Sequence, residues 1–537
     1  MIRNNYIEFK KGSSFKKFVE EIISKDVYKN TPLVDIAHSN NVLNSIRQKI
    51  LSNIKRGGGN VIIGDYDGDG VTGSTILAKA IRFSGGTVDV ILPDRHKDGY
   101  GISKNLVDKA ILMGYGKGDL IITVDNGINN ISACLYAQEK GFEVIVTDHH
   151  LPNNDDYKQI EYTFNPHINE TGLVNEDICG ATVAYLLALA LLEEFDAPMA
   201  FVNELKELAA IGTVTDVMPV ANENLSLLKD TLSKWRKSIV YNKGLKSLIQ
   251  ALGKFSKDEL DIENVGFYIG PCINAAGRLR SADLSFDILN DNSYVDAYKN
   301  SLDLVDINQK RKDIVNSIAG SILDDCMEDN NNVIVRRILS SDYPEYTINE
   351  LEGVAGLIAS KICNSLNKPT LFFVDEKFSG RSTLDVNLHK LITISKDDKL
   401  GFGGHAGACG GKFLCDVSGE DFERLEKNMS DNISKATYDV TVNKIIVPND
   451  ANIEDINQVL YDLAPLPTGF PTLVFKDITL TKGFCSDSIS TFKIQGTELE
   501  VLDFNNIIDT TSKEVHLDEL EFKLMSSKGK VSITVQR

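Results

Sequence analysis

Three short segments of this sequence concentrate groups that bind hard cations. Asp65, Asp67 and Asp69 alternate with Tyr66 and Gly68 in the run from Gly64 to Gly70; Asp125 opens Asp125-Asn126-Gly127; Asp148 precedes His149 and His150. Carboxylate oxygens combined with imidazole nitrogen suit manganese or magnesium better than a soft-ligand metal. Five carboxylates gathered in one crevice would repel one another strongly unless cations lay between them, so a bound metal pair is the expected chemistry. A calcium EF-hand loop also begins Asp-x-Asp-x-Asp-Gly, but its twelfth position requires a bidentate Glu and here carries Ile76. Asp and Gly are common turn residues. A turn readily explains one acidic strand end and poorly explains three, one of them followed by paired histidines. There is no Walker-type phosphate loop.

Elements of secondary structure must carry these groups to one place. Residues 60–64, 87–92, 119–124 and 142–147 read as short strands rich in Val and Ile, separated by helices over 72–84, 103–113 and 131–140. Such runs fit strands buried on both faces of a parallel, doubly wound sheet. The crevice of that architecture lies at the carboxyl ends of the strands, where all three acidic segments fall. Residues 178–192 predict a buried helix. Residues 295 to about 328 predict a long, proline-free helix with Val295, Tyr298, Leu302, Val305, Ile314, Ile318 and Ile322 on its apolar face. A second alternation follows: strand 333–339, helix 352–366, strand 370–374. Beyond about 438, short alternating segments with one helix near 454–463 predict a small mostly-β domain.

The expected organisation is an α/β chain. Residues 1–50 form an N-terminal segment packing on the first α/β domain, 51–294 that domain and 295–330 a connecting helix. A smaller α/β domain spans 331–437 and a small β-rich domain 438–537.

Composition narrows the function classes. The 537 residues include 57 Lys and Arg against 76 Asp and Glu, a formal net charge of −19. That balance argues against holding nucleic acid by a general basic field but leaves room for a local basic path. The longest nearly apolar run, 183–192, stops at Glu193 and Glu194, too short to cross a bilayer. The N-terminus has no apolar signal core. The eight cysteines are scattered without a Cys-x-x-Cys pair, so neither a zinc finger nor a disulfide framework is expected. A cytoplasmic protein without membrane association is the natural reading.

The acidic motifs, in this order, resemble the DHH phosphoesterase superfamily and, more narrowly, its RecJ-like exonucleases. Further segments carry the likeness: 92–101 with Arg95, 208–219 with Asp216, 273–278 with Arg278, and Asn308-x-x-Arg311. The DHH-associated domain of that family is signalled by Ser379-Gly380-Arg381-Ser382 and by 402–410 with His405. The likeness runs from about residue 40 to 475.

The resemblance implies roles. Asp65 and Asp67 would hold one divalent ion, Mn2+ or Mg2+, and Asp69, His149 and Asp216 a second, with Asp125 bridging both. From the residues alone, Asp216 could equally cap a turn. Asp148 would orient the histidine pair, and His150 would contact the scissile phosphate, so Asp125, Asp148, His149 and His150 form the implied catalytic set. Arg95, Arg278 and Arg381 would clamp phosphate, a guanidinium offering two hydrogen bonds at once. Ser379, Ser382 and His405 would join them, with 401–405 as a glycine-lined nest for an anion. Lys310, Arg311 and Lys312 either line a strand-entry path or form a solvated face. Family members carry an OB-fold after the DHH-associated domain. The sixty or so residues left here are lean for a five-stranded barrel and poor in aromatics, which argues against tight DNA binding by the tail.

The implied function is two-metal hydrolysis of single-stranded DNA from its 5′ end, in repair, recombination or replication. A single-strand-binding protein or helicase is the implied partner, and the enzyme would be a monomer. The strong acidity suits an alternative, a phosphodiesterase for short oligonucleotides or cyclic dinucleotides. A non-catalytic scaffold is a third reading, and it is disfavoured because every motif ligand is retained.

Overall fold

The structure is a computed structural model. It describes residues 2–9, 14–23, 32–253, 260–291, 293–326, 331–396, 398–415, 417–449, 451–466, 468, 470–485, 489–495, 497, 499–504, 507–508, 512–527 and 530–535. The chain divides into two compact units, residues 1–28 with 438–537, and residues 29–437.

The first strand, β1 (Ile2–Glu8), belongs to the former unit. It pairs in parallel, residue for residue, with Val440–Ile446. The expected N-terminal segment 1–50 is therefore split. Its opening strand satisfies its backbone in the other unit, while the helices Leu33–Ser39 and Asn41–Lys55 bury Ile36, Leu43, Ile46 and Ile50 in the α/β core.

In the larger unit, β2 (Asn60–Ile63), β3 (Val88–Ile91), β4 (Leu120–Val124), β5 (Glu143–Thr147) and β6 (Tyr162–Phe164) form a wholly parallel sheet in the order β3-β2-β4-β5-β6. β2 and β4 are buried along their whole length, as their unbroken Val and Ile content requires. The order reverses between β2 and β4, which opens a crevice at their carboxyl ends. Helix α1 (Gly68–Phe83) leaves β2 at that point. Helix α2 (Gly180–Leu192) is buried on every side, consistent with apolar residues all round it, and packs on α1. Helices α3 (Met199–Thr215) and α4 (Gly270–Leu279) complete the surroundings of the crevice.

Helix α5 (Tyr294–Cys326) links two hydrophobic cores. Leu304 lies in the first and Ile314, Ile318, Ile322 and Cys326 in the second. The end of the expected helix, 327–330, lies outside the described residues. The expected apolar face holds in the second half but not in the first, where Val295 and Leu302 are exposed. There the buried residues are Ala297, Ser301, Leu304, Ile307 and Asn308, and the small Ala297 and Ser301 let α5 pack on the helix Lys243–Leu252.

The second sheet has the order β10-β11-β9-β8-β7, with β7 (Ile334–Ile338), β8 (Thr370–Val374), β9 (Lys377–Arg381), β10 (Leu400–Gly404) and β11 (Ala408–Phe413). Residues 401–404, expected as an anion nest, are instead the edge strand β10 of a hairpin with β11. Helix α6 (Ile348–Leu366) follows β7. It starts at a Thr347–Glu350 capping box and ends at left-handed Asn367, φ 51°.

Gly353 on α6 lets this helix meet α4. A Cβ there would lie 2.1 Å from the carbonyl oxygen of Arg278, a backbone atom that cannot swing aside. Gly353→Ala is therefore expected to cost about 1–3 kcal/mol of stability through overpacking. A urea midpoint equal to wild type would contradict this.

In the smaller unit, β12 (Val440–Ile446) runs parallel to the start of β13 (Thr472–Cys485). The strands β13, β14 (Ser490–Ile494), β15 (Glu500–Asp503), β17 (Lys530–Val535) and β16 (Glu514–Ser527) follow one another, and β16 pairs back to β13. The ring is closed, with β15 and β17 parallel and the other neighbours antiparallel. That is the OB-fold ring. The tail expected to be too lean completes it because β13 and β16, 14 residues each, are long enough to serve two neighbours. Phe475, Phe492 and Phe522 fill the interior, while Phe484 and Phe504 are exposed. Among the described residues no helix is long and apolar enough to cross a membrane.

Candidate metal centre and arginine pocket

The crevice between β2 and β4 collects the acids. Asp65 follows β2, and Asp67 caps α1 by accepting the N–H groups of Asp69 and Gly70 at 3.1 and 3.0 Å. The ladder runs one residue past β4 and β5: the Asp125 N–H donates to the Thr147 carbonyl at 3.1 Å and the Asp148 N–H to the Phe164 carbonyl at 3.2 Å. Asp125 then turns into the left-handed region at φ 63°, an uncommon conformation for a residue with a side chain. Asp216 arrives separately, as the C-cap of α3.

Three overlapping ligand groups result, one of them Asp125 with His149 and His150. Asp65, Asp67 and Asp125 present oxygens within 4.8 Å of one another, as do the ligand atoms of Asp69, His149 and Asp216. Asp125 Oδ1 is also 3.2 Å from His149 Nε2, which lies 3.5 Å from Asp216 Oδ2 and 3.8 Å from Asp69 Oδ2. Asp65, Asp69, Asp125 and His149 are buried, and Asp67 and Asp216 half-buried. Asp69 also accepts the Gly180 and Ala181 N–H groups at 2.6 and 2.8 Å, at the N-terminus of α2 where helix dipoles favour a carboxylate.

The remaining valences fit a cation. Asp65 Oδ1, Asp125 Oδ1, Asp216 Oδ2 and His149 Nε2 are buried atoms with no hydrogen-bond partner, a costly arrangement unless a further group satisfies them. Burial, then the charges of Asp69, Asp67 and Asp65, hold the Asp125 carboxyl well above the usual range. Burial and Asp67 do the same for Asp65. Burial raises Asp69, and burial with Asp69 and Asp67 pushes Asp216 up to about 8. Burial lowers His149 despite the acids around it, leaving a neutral ring with a lone pair to offer.

Asp148 faces away from this cluster and organises the chain. Its carboxylate accepts the N–H groups of His149, His150 and Ile128 at 2.7, 3.1 and 2.9 Å. It also lies 2.8 Å from His150 Nδ1. Burial works against ionised forms here, but the hydrogen bond between these side chains outweighs it. Asp148 is lowered and His150 pushed up to about 9.

These shifts predict a pH dependence for the metal-free protein. Asp216 keeps its proton in the folded state to about pH 8 but loses it near 3.8 when unfolded, so the folded chain binds more protons between those values. Stability therefore falls as pH rises through that window. His150 acts in the same direction: the stability its protonated pairing contributes is present below its ordinary 6.5 and lost as pH rises through about 9. Chelator-treated protein should melt higher at pH 6 than at pH 8, and added Mn2+ should shrink or reverse the difference. A metal-free melting temperature that rises from pH 6 to 8 would contradict the assignment.

Beside the acids lies an arginine pocket. The Arg95 guanidinium stacks over the Tyr66 ring at 4.0 Å. Arg278, at the end of α4, donates to the Gly353 carbonyl at 3.2 Å. Arg311 donates to Asn308 Oδ1 at 2.9 Å, and Arg381 to its neighbouring Gly380 carbonyl at 2.7 Å. Each is held by a neutral group. Burial, followed by the like charges of Arg95, Arg311 and Arg381, pushes Arg278 down to about 9, and burial also lowers Arg311 and Arg381. Asp67 also acts on Arg278, which puts pocket and acids side by side.

Ser379, Ser382 and His405 lie on or beside the same sheet as Arg381 and make local bonds. Ser379 pairs across β9–β11 with Gly410, Ser382 Oγ donates to the Val386 carbonyl at 2.8 Å, and His405 Nδ1 accepts the Gly407 N–H at 3.3 Å. Of the basic run on α5, Arg311 turns into the pocket while Lys310 pairs with Glu350.

A sequence profile described as the DHH family, N-terminal domain, matches residues 60–213. The single-stranded-DNA-specific exonuclease RecJ of Salmonella typhimurium is 30% identical over 454 residues, 80% of this chain and 76% of that protein. This chain belongs to the RecJ family. The Escherichia coli relative is 32% identical over 383 residues, 67% of this chain but only 65% of that protein, so the chain spans just under two thirds of that relative's length. A crystal structure of a family member, exonuclease RecJ bound to manganese, superposes with a TM-score of 0.61 at 26% identity, covering 78% of this chain and 99% of that one.

The family motifs include the acids and all four of the pocket arginines, Arg95, Arg278, Arg311 and Arg381. They single out neither Tyr66, which stacks under Arg95, nor Asn126, which ties strand ends together, nor Asn274, which accepts the Gly68 N–H at 2.7 Å. All three lie inside motif segments, and their polar or aromatic character amid glycines was the available signal.

Proposed function

We propose that the chain is a metal-dependent exonuclease that hydrolyses phosphodiester bonds of single-stranded DNA from the 5′ end. The observation that carries this is the adjacency of two carboxylate-rich ligand groups, sharing Asp125 and His149 as neighbours, to a pocket of arginines whose hydrogen-bonding and stacking partners are neutral groups. Asp65, Asp67 and Asp125 would hold one divalent ion, and Asp69, His149, Asp216 and Asp125 the other, manganese or magnesium matching this oxygen-rich set. Bound there, such a pair supplies hydroxide at neutral pH and neutralises charge on the reacting phosphate.

The protein's own groups do the rest. Asp148 keeps both histidines turned toward the crevice. His150, protonated through its pairing with Asp148, presents a positive N–H to the scissile phosphate. Arg95, Arg278 and Arg381, with Ser379, Ser382 and His405 at the neighbouring sheet, hold the phosphates of the strand end. We assign 51–294 to the DHH domain, 331–437 to the DHH-associated domain and the barrel to the C-terminal region.

The test is hydrolysis of end-labelled oligonucleotides with Mn2+ or Mg2+ and with chelator. Metal-dependent release of nucleotides from the 5′ end of long single strands, with duplexes resistant, is the expected result. Equal or faster turnover of dinucleotides would instead identify a short-substrate phosphodiesterase.

A further inference from the structure

Tyr100 is delivered to the metal centre by a loop built for that purpose. It stands between Gly99 and Gly101, at φ +77° and +67°, conformations that side chains rarely adopt. A Cβ on Gly101 would also lie 2.8 Å from the Asn126 Cβ. Asn126 clamps the loop: its Oδ1 accepts the Ile102 N–H at 2.9 Å, and its Nδ2 donates to the carbonyls of Ile63 at 3.1 Å and Val124 at 2.9 Å. The loop tip is thereby fixed to the ends of β2 and β4, which carry Asp65 and Asp125.

The Tyr100 hydroxyl donates to the Asp125 carbonyl at 2.9 Å and lies 3.1 and 3.2 Å from the two ring nitrogens of His150. Its ring meets His150 edge-on at 5.6 Å and, on another side, Tyr66 at 6.5 Å; Tyr66 is the ring beneath Arg95. His150 needs such support. Its side chain is 41% exposed, far more open than that of His149, and its other polar anchor is Asp148.

From this geometry we infer that Tyr100 is a positioning residue, which fixes the His150 imidazole against the substrate phosphate and ties its placement to the Arg95 clamp through Tyr66. This rests on the function proposed above. An outer hydrogen bond of this kind is worth about 10–100-fold in activity when it orients a working group.

The experiment compares wild type, Tyr100→Phe, His150→Ala and the double variant on a 5′-labelled single strand, with Mn2+ affinity measured by titration calorimetry. Expected for Tyr100→Phe are a kcat at least about tenfold lower, KM and Mn2+ affinity within about threefold of wild type, and no further loss when it is added to His150→Ala. An unchanged kcat overturns the inference, as do additive losses in the double variant. A tenfold loss of Mn2+ affinity also overturns it, because the hydroxyl would then act through Asp125. Absence of hydrolysis by the wild type would overturn the proposed function instead, so the two failures are distinguishable.

Discussion

Replacing Asp125 by alanine should lower metal-dependent hydrolysis of single-stranded DNA by about a thousandfold or more. Asp125 shares a ligand group with Asp65 and Asp67, and its Oδ1, buried without a partner, lies 3.2 Å from His149 Nε2, which sits with Asp69 and Asp216. Metal-centred charge stabilisation is worth several kcal/mol, and about 1.4 kcal/mol corresponds to a factor of ten in rate. The effect on stability has the opposite sign. In metal-free protein burial, then the charges of Asp69, Asp67, Asp65 and Asp216, oppose ionisation of the Asp125 carboxyl, so a neutral group that cannot ionise removes the cost of holding it protonated. Asp125→Asn should melt at or above the wild-type temperature in chelator and lose most of the upward shift that Mn2+ gives wild type. Activity within tenfold of wild type, or an undiminished Mn2+ shift, would show that the cluster is not the metal centre.

The second large effect belongs to Arg278. Its guanidinium is half-buried, bonded to the Gly353 carbonyl and crowded by the charges of Arg95, Arg311 and Arg381. A desolvated cation crowded by like charges is costly, and a phosphate supplied by substrate would offset that cost. Arg278→Ala is expected to raise KM for a single-stranded oligonucleotide about 10- to 100-fold, the worth of one or two charged hydrogen bonds, while leaving the free protein as stable as before or more so. Lysine at this position should recover little, because a single ammonium cannot form the guanidinium's paired bonds. The salt dependence of binding should also become shallower as a phosphate contact is lost. An unchanged KM with lowered stability would reassign Arg278 to a purely structural role. Gly353→Ala, which presses on the Arg278 backbone, is the complementary perturbation: it loses stability first.

Much of this was legible in the chain. The acids at 65–69, 125 and 148 could be put at strand ends because short Val- and Ile-rich runs and the turns after them are local properties, carried by a few neighbouring residues. The parallel sheet and the long connecting helix followed from the same local patterns.

The failures came where neighbours distant in sequence decide. The apolar face of α5 was misread in its first half because helix packing there selects Ala297 and Ser301 over Val295 and Leu302. Within the segment 1–50, expected to pack on the first α/β domain, residues 2–8 instead pair with Val440–Ile446, a partner that nothing local in the sequence reveals. The tail is lean for a five-stranded barrel by length alone, yet its ring closes because the long strands β13 and β16 pair with each other as well as with β14 and β17.

By itself, then, the sequence determined which groups could bind metal and which strands would carry them. Only the tertiary structure decided that Asp216, from the end of α3, faces His149, that arginines from four separate segments share one pocket, and that Tyr100 reaches His150. The reason is physical: turn and strand preferences act within a few residues. Burial, charge proximity and the orphaning of a polar atom depend on which surfaces meet, and folding alone brings those together.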